Sequence, residues 1–301
     1  MSAPFLPAAS LAGKVAIVTG STRGVGADIA RVLSACGAHV VVLGLEAADG
    51  VALAAELGRN PGAGAIFCEA DIEKDGDIDN CIGRVMAHYG RIDILVNNAC
   101  TYTDCGLDST RAQWQKTLGV NLVSAAIFAQ KAVPHMQAGG VIVNLGSTGG
   151  KFGAAGRALY PASKAALLQL TKNLAVTLAP RAIRVLSVSP AWTWSPAIEQ
   201  LSRGSRAEAD AVAAPFHPLG RVGEAVELRG RGGFLPGCGG AEEAAGTCQH
   251  LDVPERVGDF AGQSDQRLVG RRTDGRQAPV GGEVQQCLGI LKTQQHDAPN
   301  H

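Results

Sequence analysis

The chain has 301 residues, enough for one large or two small domains. Of these, 46% are hydrophobic but only 4% aromatic, a balance that suits helices packed closely on a buried sheet. Lys plus Arg and Asp plus Glu are 27 each, so the formal net charge is zero and no basic face for nucleic acid is indicated. The first ten residues lack the basic and apolar regions of a signal peptide, and no apolar run approaches the ~20 residues of a membrane span. The eight cysteines show no CxxC pair and no zinc-ligand spacing. They read as reduced thiols, so a cytoplasmic protein without a metal site is expected.

In chain order, residues 14–19 form a continuous apolar run, and 24–36 have helical spacing. A strand over 39–45, a short helix over 51–57, a strand over 65–72 and a helix over 77–89 follow. Then come a strand over 92–99, a helix over 120–136, a strand over 141–147, a helix over 160–179 and a strand over 183–189. The strand runs are apolar throughout, the mark of a sheet buried on both faces. Strand–helix–strand repetition implies right-handed crossovers, hence a three-layer, Rossmann-like, doubly wound parallel α/β sheet.

Beyond residue 226 the pattern stops. Residues 227–301 are crowded with Gly, Arg and Gln and hold two aromatics, Phe234 and Phe260. Without hydrophobic periodicity such a composition does not offset its ordering entropy. A domain over 1–226 and a low-order tail over 227–301 are expected, with no strand or amphipathic helix in the tail. A small independent domain is the weaker alternative.

Two local patterns carry chemistry. The first strand runs into Thr19-Gly20-Ser21-Thr22-Arg23-Gly24-Val25-Gly26 and then a helix. Glycines there permit a tight turn, backbone approach to a pyrophosphate and close helix–sheet packing, while helix N–H groups and the dipole attract phosphate. A strand–helix loop alone would explain the turn, but its place in a βαβ unit favours dinucleotide binding. Further on, Tyr160 and Lys164 lie one helical turn apart on one face. A phenol is a poor proton donor at neutrality, and an ammonium beside it favours the phenolate. Ser147 ends the preceding strand, where its hydroxyl could hold a substrate oxygen or simply act as a cap.

Over roughly residues 10–226 the chain resembles the short-chain dehydrogenase/reductase family. The TGxxxGxG turn matches Thr19–Gly26 and the YxxxK motif matches Tyr160 and Lys164. The family serine falls on Ser147, its helix-borne asparagine on Asn121, and the adenine-contacting acid on Asp71, followed by Ile72. NNAG falls on Asn97-Asn98-Ala99, and the post-strand PG begins at Pro190. The resemblance implies hydride transfer between NAD(P)(H) and a ketone or secondary alcohol. Tyr160 would exchange the proton, and Lys164 would favour the phenolate and bind the nicotinamide ribose. Ser147 would polarise the substrate oxygen, Asn121 would anchor a relay water, and the backbone near Thr193 would hold the carboxamide. Gly20, Thr22, Arg23, Gly24, Val25, Gly26, Asp71, Ile72, Asn98 and Pro190 would complete the cofactor site. A homodimer or homotetramer is the family's habit.

The departures are local until residue 226. The NNAG glycine is Cys100 and the PG glycine is Ala191, costing ~1 kcal/mol if positive φ were required. After Glu224 the expected helix, last strand and VDGG-like segment are replaced by the Gly/Arg-rich tail. A shift of coding frame near residue 226 would explain this, and it would weaken a subunit interface and the pocket's closure. A cofactor-binding but catalytically impaired protein is therefore the alternative reading. Gly44 stands where an NAD-selecting acid belongs and Glu46 comes two residues late, whereas Arg23 in the turn favours NADP. The resemblance implies that residues 191–218, with Trp192, Trp194, Phe216 and His217, would form the family's variable lid. The tryptophans suit either an apolar, ring-shaped substrate or packing, and His217 reads as structural.

Overall fold

The computed structural model describes residues 10–215, 217 and 219–224, together with the backbone of a strand at 250–252. The first half alternates strictly: β1 (Val15–Thr19), α1 (Gly24–Ala35), β2 (His39–Gly44), α2 (Ala47–Leu57), β3 (Ala65–Glu69), α3 (Asp75–Tyr89) and β4 (Ile92–Asn97). The second half continues with α4 (Arg111–Leu118), α5 (Ser124–Ala132), β5 (Met136–Leu145), α6 (Leu159–Leu178), β6 (Arg184–Ser189), α7 (Pro196–Leu201) and α8 (Arg206–Ala213). It ends on β7 (His250–Asp252). All seven strands run parallel in the order β3-β2-β1-β4-β5-β6-β7.

The unbroken apolar strands have a simple cause. Alternate side chains leave a strand on opposite faces, and here each face has its own core. Ala16, Val18, Val40, Val42, Ile94 and Val96 pack with Leu33, Leu53 and Leu57 of α1 and α2. Val15, Ile17, Val41, Leu43 and Leu95 pack on the other face with Ile78 and Val85 of α3 and Phe128 of α5. Three buried polar side chains form a chain through the core: Asn97 Nδ2 donates to Asn144 Oδ1 at 2.8 Å, and Asn144 Nδ2 donates to Thr171 Oγ1 at 2.9 Å. That chain ties β4, β5 and α6 together.

The fold class expected from the pattern is the fold observed. The differences lie where the chain is polar or short. The helix expected over 120–136 has an upstream partner, α4, opened by a reciprocal Thr110–Gln113 capping box. A π-helical turn, Gly119–Val123, joins α4 to α5. The helix then tightens at Val133–His135, where Pro134 cannot continue it, and β5 begins at Met136 rather than 141. In the tail, where no strand was expected, His250–Asp252 pairs parallel with Ser187–Ser189. Three residues on a sheet edge are too few to show a period of two. The boundary at 226 and the rest of the tail reading lie outside the described residues.

Because β1 is flanked by β2 on one side and β4 on the other, consecutive connections leave it in opposite directions. The carboxyl ends of β1 and β4 therefore open a crevice at the switch point of the sheet, where such folds bind ligands.

Candidate active site

The wall of that crevice is the turn between β1 and α1. Gly20 has φ +60°, a left-handed conformation that L side chains rarely adopt. A Cβ there would stand 2.8 Å from the Ala99 Cα. Gly26 is demanded by contact instead: its Cβ would lie 2.3 Å from the Gly20 carbonyl oxygen and 2.5 Å from Asn98 Nδ2. Asn98 locks the turn to β4, donating from Nδ2 to the carbonyls of Thr19 (2.9 Å) and Gly20 (3.0 Å). Thr19 Oγ1 accepts the N–H groups of Asn98 and Ala99. Gly24 starts α1 beneath the lid, with Pro196 Cδ 2.9 Å from its would-be Cβ, and Val25 packs into the core.

No side chain caps α1: Arg23 at the N-cap makes no such bond, and the first turn holds no acid. The first N–H groups of a helix have no partner within it. With the dipole behind them they suit a phosphate, so the residues present fit the pyrophosphate of a dinucleotide.

Thr22 and Arg23 face the end of β2 and meet Glu46 there. Thr22 Oγ1 donates to Glu46 Oε2 at 2.7 Å, and Arg23 pairs with Oε1 at 2.8 Å. The Thr22 hydrogen bond, aided by Arg23, holds the Glu46 carboxyl below its usual range. Glu46 is two residues late in sequence, yet its side chain folds back to 3.5 Å from where a Cβ on Gly44 would be. Spacing along the chain missed this return. Asp71 and Ile72 follow β3 at the far edge, away from the Tyr–Lys pair. The Asp71 carboxyl is held low by the Glu73 backbone N–H and then by Lys74, and Ile72 packs against the core.

The residues expected to carry the chemistry are grouped around α6. Lys164 is buried, and its ammonium donates to the Leu145 carbonyl at the end of β5 (2.6 Å). Its Nζ lies 5.7 Å from the Tyr160 ring centroid, so the pair read from the i, i+4 spacing does share a face. Ser147 Oγ accepts from the Gly149 N–H at 3.1 Å, the capping role weighed above, and its own O–H stays available to donate. The turn Thr148–Gly150 leads this serine onto α6, where a Cβ on Gly150 would touch the Lys164 and Ala165 backbone at 2.9 Å.

Asn121 sits in the π-helical turn and is buried. Its Oδ1 accepts from the Thr101 N–H (2.7 Å), while Nδ2 donates to Thr101 O (3.1 Å) and Ser163 Oγ (3.0 Å). The side chain thus pins the loop after β4 to α6.

Two residues of that loop escaped the sequence reading. Asp104, 5% exposed, accepts from the backbone N–H groups of Gly106 (3.0 Å), Ala158 (2.9 Å) and Tyr160 (3.0 Å). Burial alone would raise its carboxyl. The N–H groups of Ala158, Gly106, Tyr160 and Leu159 outweigh that and hold it below the usual range. Asp104 therefore fixes the start of the helix that carries Tyr160. Tyr102 stacks on Tyr160, with ring centroids 4.9 Å apart and planes at 25°. A lone loop aspartate gives no sequence signal; the only hint for Tyr102 was that the chain has just three tyrosines.

The lid rises from β6. The Pro190 carbonyl accepts from Thr148 N–H (3.2 Å), and Thr193 bridges to Gly223. Trp192, Trp194 and Ile198 pack on Ala209, Ala213 and Val222. His217 is buried, its Nε2 accepting from the Trp192 N–H. The tryptophans and His217 thus serve packing. Phe216 lies outside the described residues. Among the described residues, only Ala182 and Arg203 are non-glycines with positive φ, so Cys100 and Ala191 carry none of the strain their substitution would have brought there. The described cysteines form no disulfide, and the described residues hold no His/Cys/Asp/Glu group suited to a metal. No described helix is long and apolar enough to cross a membrane.

A family model described as short chain dehydrogenase matches residues 14–205. Trans-4-hydroxycyclohexanecarboxylate dehydrogenase of Sinomonas cyclohexanicum is 36% identical over 225 residues, 72% of this chain and 83% of that protein. L-fucose dehydrogenase of Mus musculus is 32% identical over 228 residues, 74% of this chain and 82% of its own. A short chain dehydrogenase of Burkholderia cenocepacia J2315, solved in complex with NADP, superposes with a TM-score of 0.66 at 36% identity. That match covers 73% of this chain and 88% of the other. With its glycine turn, its Tyr–Lys pair and this match over most of its described length, the chain belongs to the short chain dehydrogenase family.

Proposed function

We propose that this protein is an NAD(P)-dependent oxidoreductase that interconverts a ketone and a secondary alcohol at Tyr160, Lys164, Ser147 and Asn121. The observation that carries the reading is the convergence of the uncapped α1 turn and the buried Lys164 on one crevice. A dinucleotide held in this crevice would supply or accept the hydride at the substrate carbon. Tyr160 donates its proton to the carbonyl oxygen as the alcohol forms, and takes it back in the reverse direction. The ammonium of Lys164, with one hydrogen spent on Leu145 O and others left to donate, stabilises the phenolate and binds the nicotinamide ribose. Ser147 turns its free O–H to the substrate oxygen. Asn121 holds the loop and helix against each other, and the π-helical turn it sits in frees backbone carbonyl capacity for a relay water.

At the other end, the turn from Gly20 to Gly26 cradles the pyrophosphate. Asn98 supports it, Asp71 and Ile72 receive the adenine, and Pro190 and Thr193 hold the carboxamide. Arg23 favours NADP, as does the NADP bound in the Burkholderia relative; a 2′-phosphate would replace Glu46 as its partner. The substrate is a small carbonyl compound or alcohol, in keeping with the cyclic and sugar alcohols in the names of two relatives. The reduced-thiol reading of its cysteines places the enzyme in the cytoplasm, and it assembles as a homodimer or homotetramer.

The test is a titration of the purified full chain with NADPH and NADH, followed by turnover on a ketone panel. NADPH should bind the more tightly of the two. Tyr160→Phe should keep NADPH binding within about threefold and lower kcat by roughly 10²–10⁴-fold, the usual range for one general acid. Tight binding with no turnover of any ketone by the unaltered protein would favour the impaired, cofactor-binding alternative.

A further inference from the structure

The segment from Ser147 to Tyr160, which joins the two hydroxyls expected to face the substrate oxygen, carries two cations, Lys151 and Arg157, and no acid. Arg157 is held from both sides in the chain. Gly156 before it packs on the loop after β4: a Cβ on Gly106, whose φ is +59°, would stand 3.0 Å from the Gly156 carbonyl oxygen. Ala158 after it donates its N–H to both carboxylate oxygens of Asp104, at 2.9 and 3.1 Å. The guanidinium carbon of Arg157 lies 5.7 Å from the Tyr160 ring centroid, within reach of a cation–π contact. Its Nε is 3.6 Å from Asp104 Oδ2. A side chain on so firm a base is preorganised rather than loose.

The distance to Asp104 exceeds a hydrogen bond, and Asp104 already takes the N–H groups of Gly106, Ala158 and Tyr160. A guanidinium whose role is only to neutralise a carboxylate pairs as Arg91 does with Asp93, through two hydrogen bonds of 2.8 and 2.6 Å. Arg157 is instead steadied by Asp104 and the ring without being used up by either. Its side chain stays 44% exposed beside the phenol expected to exchange the proton, and its terminal N–H fork has the planar geometry that matches a carboxylate. We propose that Arg157 anchors a carboxylate of the substrate while Tyr160 serves the carbonyl oxygen, so that the preferred substrates are keto acids and the corresponding hydroxy acids with the two groups several bonds apart. This rests on the oxidoreductase reading for the reaction, but not for the binding of the anion.

The experiment compares the full chain with Arg157→Gln and Arg157→Lys, with NADPH, on 3- and 4-oxocyclohexanecarboxylate and their methyl esters. Each ester offers the same ketone without the charge, so intrinsic reactivity cancels when the acid-to-ester ratio of kcat/KM is compared between proteins. Arg157→Gln should lower that ratio about tenfold for at least one of the two acids, and Arg157→Lys should keep part of it. A role confined to steadying Asp104 or Tyr160 would slow acid and ester alike, and an unchanged ratio overturns the proposal. A second arm needs no turnover: calorimetric titration, with NADPH present, of cyclohexanecarboxylate and the neutral cyclohexanecarboxamide. The carboxylate should bind several-fold tighter, and Arg157→Gln should erase the difference. If it does so while no ketone is reduced, Arg157 stands and the hydride-transfer reading falls. If the ketones are reduced but the ratio is the same in all three proteins, the reaction stands and Arg157 falls. No turnover and no preference that depends on Arg157 overturns both.

Discussion

Asp104 shows how much a single buried side chain carries here. Its carboxylate is the meeting point of three backbone N–H groups from two segments, the loop before α4 and the start of α6, with Arg157 3.6 Å away at the surface. Asp104→Asn keeps the shape but turns an NH₂ toward those donors. A hydrogen-bonded charge of this kind is worth about 2–3 kcal/mol, or roughly 4–12 °C in melting temperature for a domain of this size. Because its folded pKa lies below the unfolded value of ~3.9, the contribution is complete above that value. It is lost as pH falls through the folded pKa. Melting curves of the two proteins should differ fully at pH 6–7 and converge as the pH falls below about 4; a constant gap would mean that packing, not charge, is lost. Since Tyr160 is the residue whose N–H is released, kcat should also fall about 10–100-fold.

At the scale of the element, the strand–turn–helix from Val15 to Ala35 was legible because its signals are local: an apolar run, glycines at fixed intervals, then a helical period. The same holds for α6, where a single turn of helix sets Tyr160 and Lys164 on one face. What was hidden depends on groups far apart in sequence. Glu46 reaches the end of β2 only through its side chain, and Asp104 finds two of its three donors more than fifty residues away. The helix α4 is mostly polar and is announced by its capping box rather than by periodicity. The glycine turn allows a paired test. Gly26→Ala drives a Cβ into a backbone carbonyl and Asn98, and should cost about 1–3 kcal/mol. NADPH affinity should fall more than tenfold by fluorescence titration, since the displaced turn is the proposed phosphate cradle. Gly83→Ala, in an exposed stretch of α3 with nothing within 4 Å, should instead stabilise by up to ~1 kcal/mol and leave NADPH binding alone. Equal NADPH affinities for the two variants would remove the turn from the cofactor site.

For the whole molecule, the sheet sets what each end of the chain contributes. Six strands form from a continuous stretch of sequence ending at Ser189, and the lid closes on itself through Thr193, Gly223 and the Trp192–Val222 cluster. Among the described residues, only β7 comes from beyond residue 224, and it pairs with the sheet on the β6 side. A chain ending at residue 226 therefore keeps every residue assigned to catalysis and the cofactor, but leaves the β6 edge with unpaired N–H and C=O groups where Ser187–Ser189 now meet His250–Asp252. Edges of this kind recruit other chains. Loss of three residue pairs at an edge should cost about 2 kcal/mol, roughly 4–8 °C in melting temperature. The shortened protein should bind NADPH with unchanged affinity when freshly purified, yet form larger species at high concentration in light scattering. If it stays monodisperse and melts with the full chain, β7 contributes nothing to the sheet. If it binds no NADPH, the cofactor crevice depends on residues 227–301.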